Sequence, residues 1–277
     1  MPFVKHKQPC PACGGSDPVS VNDNGTGWCF SCNTHLPQYS TAEVQQPDTI
    51  TDFEVYQRNS KMEENPSASF SELTDRKISL DTAKKYGVKS TKTGGKIDKH
   101  YYPYYNGHEL AGTKIRKQNK EFTWTGSPKE VGLFGENLFK AGGKFITLTE
   151  GECDAMAAYE LMGSKWPVVS IKSGAQGGVR DVKNSLEYLE SFDSVVINFD
   201  NDKHGKEAAQ AIAKLLTPKK AKIMTMPVDY KDANDMLRQG RHAAYVSAFW
   251  DAKVYTPSGV LNLTDQIDLV HPMAYRL

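Results

Sequence analysis

No stretch of this sequence approaches the roughly 18 consecutive apolar residues that a membrane-spanning helix needs, and mean hydropathy is low at -0.55. A soluble protein with no membrane partner is expected. The N-terminus, MPFVKHKQPCPAC, has neither an apolar signal core nor a cleavage-site pattern, so a cytoplasmic, reducing compartment is the expectation. Cysteine is scarce, five in 277 residues. An odd, small number in a reducing compartment argues against a disulfide framework and for metal or catalytic use. The phosphate-binding pattern G-x4-G-K-[ST] is missing as well: Gly95-Lys96, Gly143-Lys144 and Gly205-Lys206 are followed by Ile, Phe and Glu. No nucleotide-driven motor is therefore expected of this chain.

Net charge is also nearly absent at +1, but its distribution is uneven. From Lys84 to Lys129 there are eleven Lys or Arg against Asp98, Glu109 and Glu121. From Glu130 to Asp235 the balance tips acidic. A basic part beside an acidic one suits a polyanion that touches the first while cations sit in the second. A solvated lysine-rich surface gives the same composition.

Four of the cysteines, Cys10, Cys13, Cys29 and Cys32, form two C-x2-C knuckles separated by fifteen residues. This spacing predicts a zinc ribbon whose four thiolates close a tetrahedron, leaving a structural metal with no open position. Trp28 and Phe30 alternate around the second knuckle, as aromatics on a short strand do. Either can pack on the metal core or offer a face for base stacking. Residues 37–52 are polar, hold two prolines and show no period, which predicts a linker.

The rest of the chain mixes elements and then alternates. A short helix is predicted over 80–86, with Ser79 as N-cap and Gly87 as C-cap, and Asn106-Gly107 predicts a hairpin turn. On that hairpin the period of two puts Lys114, Arg116 and Gln118 on one face, a basic edge. KFITLTE, WPVVSIK, SVVINFD and AKIMTMP are strand runs, with helices predicted near 152–163, 179–191 and 204–216 between them. Two short helices follow near 232–239 and 242–250. Such alternation predicts a parallel sheet flanked by helices, an α/β fold.

The first of these strands ends on Glu150 in TLTEGECDAMAA, and the third on Asp200 and Asp202 in INFDNDKHG. In a parallel sheet all strand C-termini lie on one edge, where open α/β folds place ligands. Residues i and i+2 on a strand point the same way, so both aspartates are expected to face one site. Carboxylates gathered there call for a divalent cation, and few hard oxygen ligands match magnesium or manganese. Helix capping by Asp200 and Asp202, with Glu152 and Asp154 as first-turn acids, is the competing explanation.

E-G-E-x-D-A at one strand end and D-x-D-x-x-G at another, within strand-helix alternation, resemble the Toprim domain. By that resemblance Glu150 is the motif glutamate, and Asp200 and Asp202 are the paired aspartates of the metal site. With the four-cysteine ribbon, GTKIRKQNKEFTWTG, LFG and PVDYKDANDML, the chain from about Lys7 to Trp250 resembles the primase half of phage primase-helicases of the T-seven type, relatives of Twinkle and of bacterial primases.

The resemblance implies a zinc-binding domain over 1–36, a linker over 37–52, a basic mixed α+β subdomain over 53–135, a Toprim catalytic domain over 136–252, and a tail or linker start over 253–277. It implies a DNA primase in the host cytoplasm. Its partners would be a single-stranded DNA template, ribonucleoside triphosphates, and a replicative helicase and DNA polymerase. Lys114, Arg116 and Lys120 fall in the basic motif that holds nucleotide phosphates and primer. Lys231 and Asp232 fall in the K-D-A-N motif, with Asp232 a further acidic participant. Trp28 and His35 are candidates for DNA contact on the ribbon. The rival is a recombination mediator of the RecR kind, which also joins a zinc element to a Toprim domain but binds DNA without polymerising. Its zinc element lies close to the Toprim segment, whereas about 110 residues intervene here. A topoisomerase or Toprim nuclease would need a cleavage domain around a tyrosine, and none is recognisable.

Overall fold

A computed structural model describes residues 3–8, 10, 19–30, 34–37, 39, 67–129 and 131–257. The chain divides into two compact units, Met1–Lys61 and Met62–Leu277. In the first, strands β1 (Phe3–Gln8), β2 (Val19–Asn22), β3 (Gly27–Cys29) and β4 (Thr34–Leu36) form an antiparallel sheet in that order. Gly25, at φ +80°, makes the turn between β2 and β3 in a backbone region that favours glycine. Cys10 and Cys29 are buried with Val19 and Val21 in a very small core. Trp28 sits opposite His35 across β3 and β4, ring centroids 6.1 Å apart, while Phe30 is 63% exposed. Cys13, Cys32 and most of the 37–52 segment lie outside the described residues.

The second unit opens with α1 (Leu80–Lys85), capped as expected: Ser79 Oγ accepts from Thr82 N at 3.2 Å, and Gly87 follows at φ +71°. Strands β5 (Lys89–Thr93), β6 (Lys96–Asn106), β7 (Glu109–Lys117) and β8 (Phe122–Gly126) then make an antiparallel meander. Gly107, at φ +59°, turns β6 into β7 where Asn-Gly predicted it. A 3-10 turn, Glu136–Leu138, leads to the parallel sheet.

That sheet contains β9 (Gly143–Thr149), β10 (Val168–Ser170), β11 (Phe192–Asn198), β12 (Ala221–Ile223) and β13 (Lys253–Val254), ordered β10-β9-β11-β12-β13. The first four are parallel and β13 is antiparallel. Helices α2 (Glu152–Leu161), α3 (Gly174–Asn184), α4 (Leu186–Glu190), α5 (Lys203–Ala213), α6 (Ala233–Arg238) and α7 (His242–Trp250) connect them. Alternate strand residues feed two cores. Ile146, Leu148, Val195 and Ile197 pack with Val182, Leu189 and Ile212 of α3, α4 and α5. Val168 and Val196 pack with Met156, Met236 and Tyr245 of α2, α6 and α7. This second core also takes in Tyr102 and Tyr104 of the meander.

Three expectations change. The helix predicted near 179–191 starts at Gly174 and breaks at Ser185, whose Oγ donates to Glu136 at 2.6 Å. The meander within the expected 53–135 subdomain packs into one core with α2 of the expected Toprim segment. Residues 253–254, placed in a tail, form the sheet edge, pairing Lys222 with Val254. Among the described residues no helix is long and apolar enough to cross a membrane.

Candidate active site

Strand β11 ends at Asn198, so Asp200 and Asp202 follow the strand rather than continuing it. They do not share a strand face, contrary to the i, i+2 expectation. Asp200 Oδ2 pairs with Lys231 Nζ at 2.8 Å. Asp202 is exposed and caps α5, its Oδ1 accepting from Gly205 N at 2.9 Å. The glycine of D-x-D-x-x-G explains the turn: a Cβ on Gly205 would stand 2.2 Å from the Asp200 carbonyl oxygen. Only glycine lets the helix start close down on Asp200.

A carboxylate expected only as a first-turn acid completes the site. Oxygen atoms of Asp154, Asp200 and Asp232 all lie within 4.8 Å of one another. Asp154 sits in the first turn of α2, its Oδ1 accepting from Asn234 N at 3.2 Å. Asp232 caps α6 through Oδ1, which accepts from Asp235 N at 2.7 Å. Glu150, just past β9, accepts from Ala175 N at 3.3 Å through Oε1, while its Oε2 is buried with no hydrogen-bond partner.

Burial, and then the neighbouring Asp232 and Asp200, push the Asp154 carboxyl well above its ordinary range. Burial and then Asp200 push Glu150 up. Asp200 is also raised, by burial, despite the opposing Lys231 ammonium. Hard oxygens in this proximity, destabilised as anions by burial and one another, fit a divalent cation, which relieves both penalties. The chemistry of the donor set is therefore compatible with the metal that the motifs implied.

The cations are arranged differently from an exposed basic edge. Lys114 is buried: its Nζ donates to Glu152 Oε1 at 2.7 Å and to the Lys172 carbonyl at 2.7 Å. Helix α2 covers the face of β7 that period-two reasoning identified but could not orient. Arg116, on the same face, is half-buried with Nη1 3.7 Å from Cys153 Sγ. A recess of about 110 Å³ opens beside it, lined by Arg76, Lys99, His100 and Lys117 together with Asp75 and Asp98. It adjoins the carboxylates, because Arg76 donates to Asn234 Oδ1 at 3.4 Å and Cys153 precedes Asp154. Lys120 is exposed in the β7–β8 turn at φ +64°. Lys231 is exposed apart from its pairing with Asp200. Trp28 and His35 belong to the N-terminal unit.

Residues 147–237, the segment that carries Glu150, Asp154, Asp200, Asp202 and Asp232, match the family model described as Toprim-like. Over 279 residues the chain is 32% identical to the DNA helicase/primase of Enterobacteria phage T3, taking in 96% of this chain and 47% of that protein. The chain thus spans about half the length of the curated relative it matches. The crystal structure of the primase fragment of the bacteriophage T7 primase-helicase superposes with a TM-score of 0.62 at 28% identity, covering 90% of this chain and 100% of the fragment. A second match, at 32% identity and TM-score 0.62, covers 68% of this chain and 94% of the other. It comes from a structure of the bacteriophage T7 lagging-strand DNA polymerase interacting with primase domains bound to an RNA/DNA hybrid and dTTP. Shared identity along nearly the whole chain, a shared fold and the Toprim match agree: the chain belongs to the family of the primase halves of phage T7-type primase-helicases.

Proposed function

We infer that the chain is a DNA primase, a DNA-directed RNA polymerase that joins ribonucleoside triphosphates on single-stranded DNA and releases pyrophosphate. The observation that carries this reading is the meeting of Asp154, Asp200 and Asp232 within 4.8 Å at the ligand edge of the sheet, beside a recess lined by cations. Phosphoryl transfer asks for little covalent chemistry from a protein and much positioning and charge stabilisation. Such an edge supplies both.

Glu150, Asp154, Asp200 and Asp232 would hold magnesium or manganese, with Asp202 at the rim in its capping role. Bound there, the cation would neutralise triphosphate charge and lower the pKa of the attacking 3'-hydroxyl. The protein's own groups do the rest. Arg76 and Arg116 hold phosphate oxygens as fixed cations, and Arg116 is oriented by its contact with Cys153. Lys231 balances Asp200 and offers its exposed ammonium to a phosphate. Lys120 extends the positive surface toward the primer. Lys114 acts from behind, tying β7 to α2 through Glu152, so that Arg116 two residues on is held at the recess.

In the N-terminal unit, Cys10, Cys13, Cys29 and Cys32 would hold a structural zinc ion. Burial of Cys10, from the first knuckle, in one cluster with Cys29, from the second, supports this. The paired rings of Trp28 and His35 would stack on template bases. A DNA polymerase and a helicase are the expected partners, given the polymerase beside the T7 primase domains and the joint helicase/primase of phage T3. A host cytoplasm suits such a replication protein.

The test is direct. The chain incubated with single-stranded DNA, the four ribonucleoside triphosphates and magnesium should make short RNA, and Asp200→Asn should abolish it while leaving the circular dichroism spectrum unchanged. DNA binding without any RNA on a broad set of templates would sink the primase reading in favour of a recombination mediator.

A further inference from the structure

At the other end of the parallel strands lies a larger cleft that this chemistry does not use. Its volume is about 810 Å³, within the range of roughly 300–1,000 Å³ typical of small-molecule sites. It runs between the β6–β7 hairpin tip and the α3–α4 junction, with the 3-10 turn as floor. Ala141 on its wall precedes β9 and Glu150 follows it, so the seven residues of β9 separate this wall from the carboxylates by about 20 Å at roughly 3.3 Å each. The opposite wall, at Val131, lies nearer the α3 start, its carbonyl accepting from Lys172 Nζ at 2.5 Å.

The lining has a consistent chemistry. Lys129 and Lys140 are exposed, and neither forms an ion pair among the described residues. The carboxylate on the wall, Glu136, is already occupied: its Oε2 accepts from Leu133 N at 2.9 Å and from Ser185 Oγ at 2.6 Å. Tyr188 and Phe139 supply half-buried rings, fixed by the bond from the Tyr188 hydroxyl to the Phe139 carbonyl at 3.2 Å. Lys85 Nζ stands 5.5 Å from the Phe139 ring centre. Asn184 is exposed on the wall, and its amide makes no hydrogen bond among the described residues. Fixed rings, an amide that both donates and accepts, and lysines without counter-charges are the groups that take a planar base at one end and phosphates at the other.

We propose that this cleft binds a free nucleoside polyphosphate, with the phosphates on Lys129 and Lys140 and the base against Phe139 and Tyr188. It is a second nucleotide site, built from residues other than those of the carboxylate edge. Its occupant touches the 3-10 turn, which Ser185 and Glu136 link to the α3–α4 junction, and α3 begins where Ala175 donates to Glu150.

Titration of fluorescent methylanthraniloyl ADP and GDP in EDTA against the whole chain and against its Arg76→Ala, Arg116→Ala variant separates the two sites, because without a cation those arginines carry any phosphate held at the carboxylate edge. The expected result is saturable binding that the arginine substitutions leave unchanged. Lys129→Glu with Lys140→Glu weakens it about tenfold or more, and Asn184→Asp, which adds one negative charge on the wall, weakens it as well. Both lysines are exposed, so the double variant keeps its fold, which circular dichroism checks. Three results would overturn the proposal. One is no saturation below about 1 mM. Another is an affinity indifferent to the lysine reversals. The third is displacement by an oligodeoxythymidylate whose own binding is the one that the reversals abolish, which would make the cleft a strand path.

Discussion

Replacing Lys114 by methionine tests whether the lysine is a phosphate ligand or an internal brace. Its ammonium is buried against Glu152, with the two side chains 10% and 6% exposed and 2.7 Å apart. Glu152 Oε1 also accepts from the Tyr104 hydroxyl at 2.5 Å, and the Lys172 carbonyl takes a second bond from Lys114. Methionine fills similar volume and removes both donors. Breaking a buried pair by deleting one partner costs about 3–5 kcal/mol, because the remaining charge has no compensation. The carbonyl left without its donor adds roughly 1 kcal/mol. For a unit of this size about 1 kcal/mol shifts the melting temperature by roughly 2–4 °C, so a fall of about 8–24 °C is expected.

Thermal and urea unfolding of the wild type, Lys114→Met, Glu152→Gln and the double variant complete the cycle. Glutamine keeps an acceptor for Tyr104 while discharging the site, so the double variant should recover more than half of the loss. One result refutes the reasoning: Lys114→Met within about 0.5 kcal/mol of wild type but devoid of primer synthesis. Lys114 would then leave Glu152 when nucleotide binds, and the phosphate-holding role that the resemblance implies would stand.

The same geometry sets three further outcomes. Gly205→Ala puts a Cβ 2.2 Å from the Asp200 carbonyl oxygen, so the α5 start must shift; magnesium binding by calorimetry should weaken about tenfold or more, with a stability loss of about 1–3 kcal/mol. Asp154→Asn should raise stability in EDTA by about 1 kcal/mol, because an anion disfavoured by burial and by Asp232 and Asp200 is removed; it should also erase the magnesium-induced rise in melting temperature. Burial disfavours the His100 imidazolium, but the Asp75 carboxylate at 3.1 Å and Cys153 outweigh it and raise its pKa to about 9. With the folded value above the unfolded one, this stabilisation is complete below about pH 6.5 and lost as pH rises through 9. Unfolding free energy should fall over that window by up to roughly 3 kcal/mol, and His100→Gln should flatten the fall.

The sequence made the α/β alternation, the capped helix after Ser79 and the Asn106-Gly107 hairpin legible because each depends on neighbours in the chain. Glu150 and Asp200 were legible for a topological reason: parallel strands bring their C-termini to one edge whatever the loops do. Asp154 was not, since an acid in a first helical turn is what the helix dipole favours anyway, and nothing local distinguishes a cluster member from such an acid. The burial of Lys114 was not legible because a period of two says which residues share a face, not which face is covered; the covering helix α2 starts 35 residues beyond β7. Asp202 was paired with Asp200 because the strand was read four residues too long, and a shift of that size decides between a strand face and a helix cap. Arg76 and His100 come from outside the recognised motifs and meet Asn234 and Cys153 only through the shared core.

The acidic edge also shows how repelling carboxylates are held in place by the backbone. Asp154 and Glu150 are each oriented by a backbone N–H, from Asn234 and Ala175, and Asp232 by the first turn of its own helix. Asp154 lies in the first turn of α2, where unpaired N–H groups and the helix dipole offset part of the repulsion. Asp202 performs the same capping on α5 while remaining exposed, and that cap sets the turn carrying Asp200. Capping and the cation binding proposed for this edge, which the sequence presented as competing explanations, are therefore compatible. Asp202 fixes the backbone through its cap, and Asp200 gains its position from that fixed backbone. Removing the cap should loosen the cluster without deleting any of its three closest oxygens.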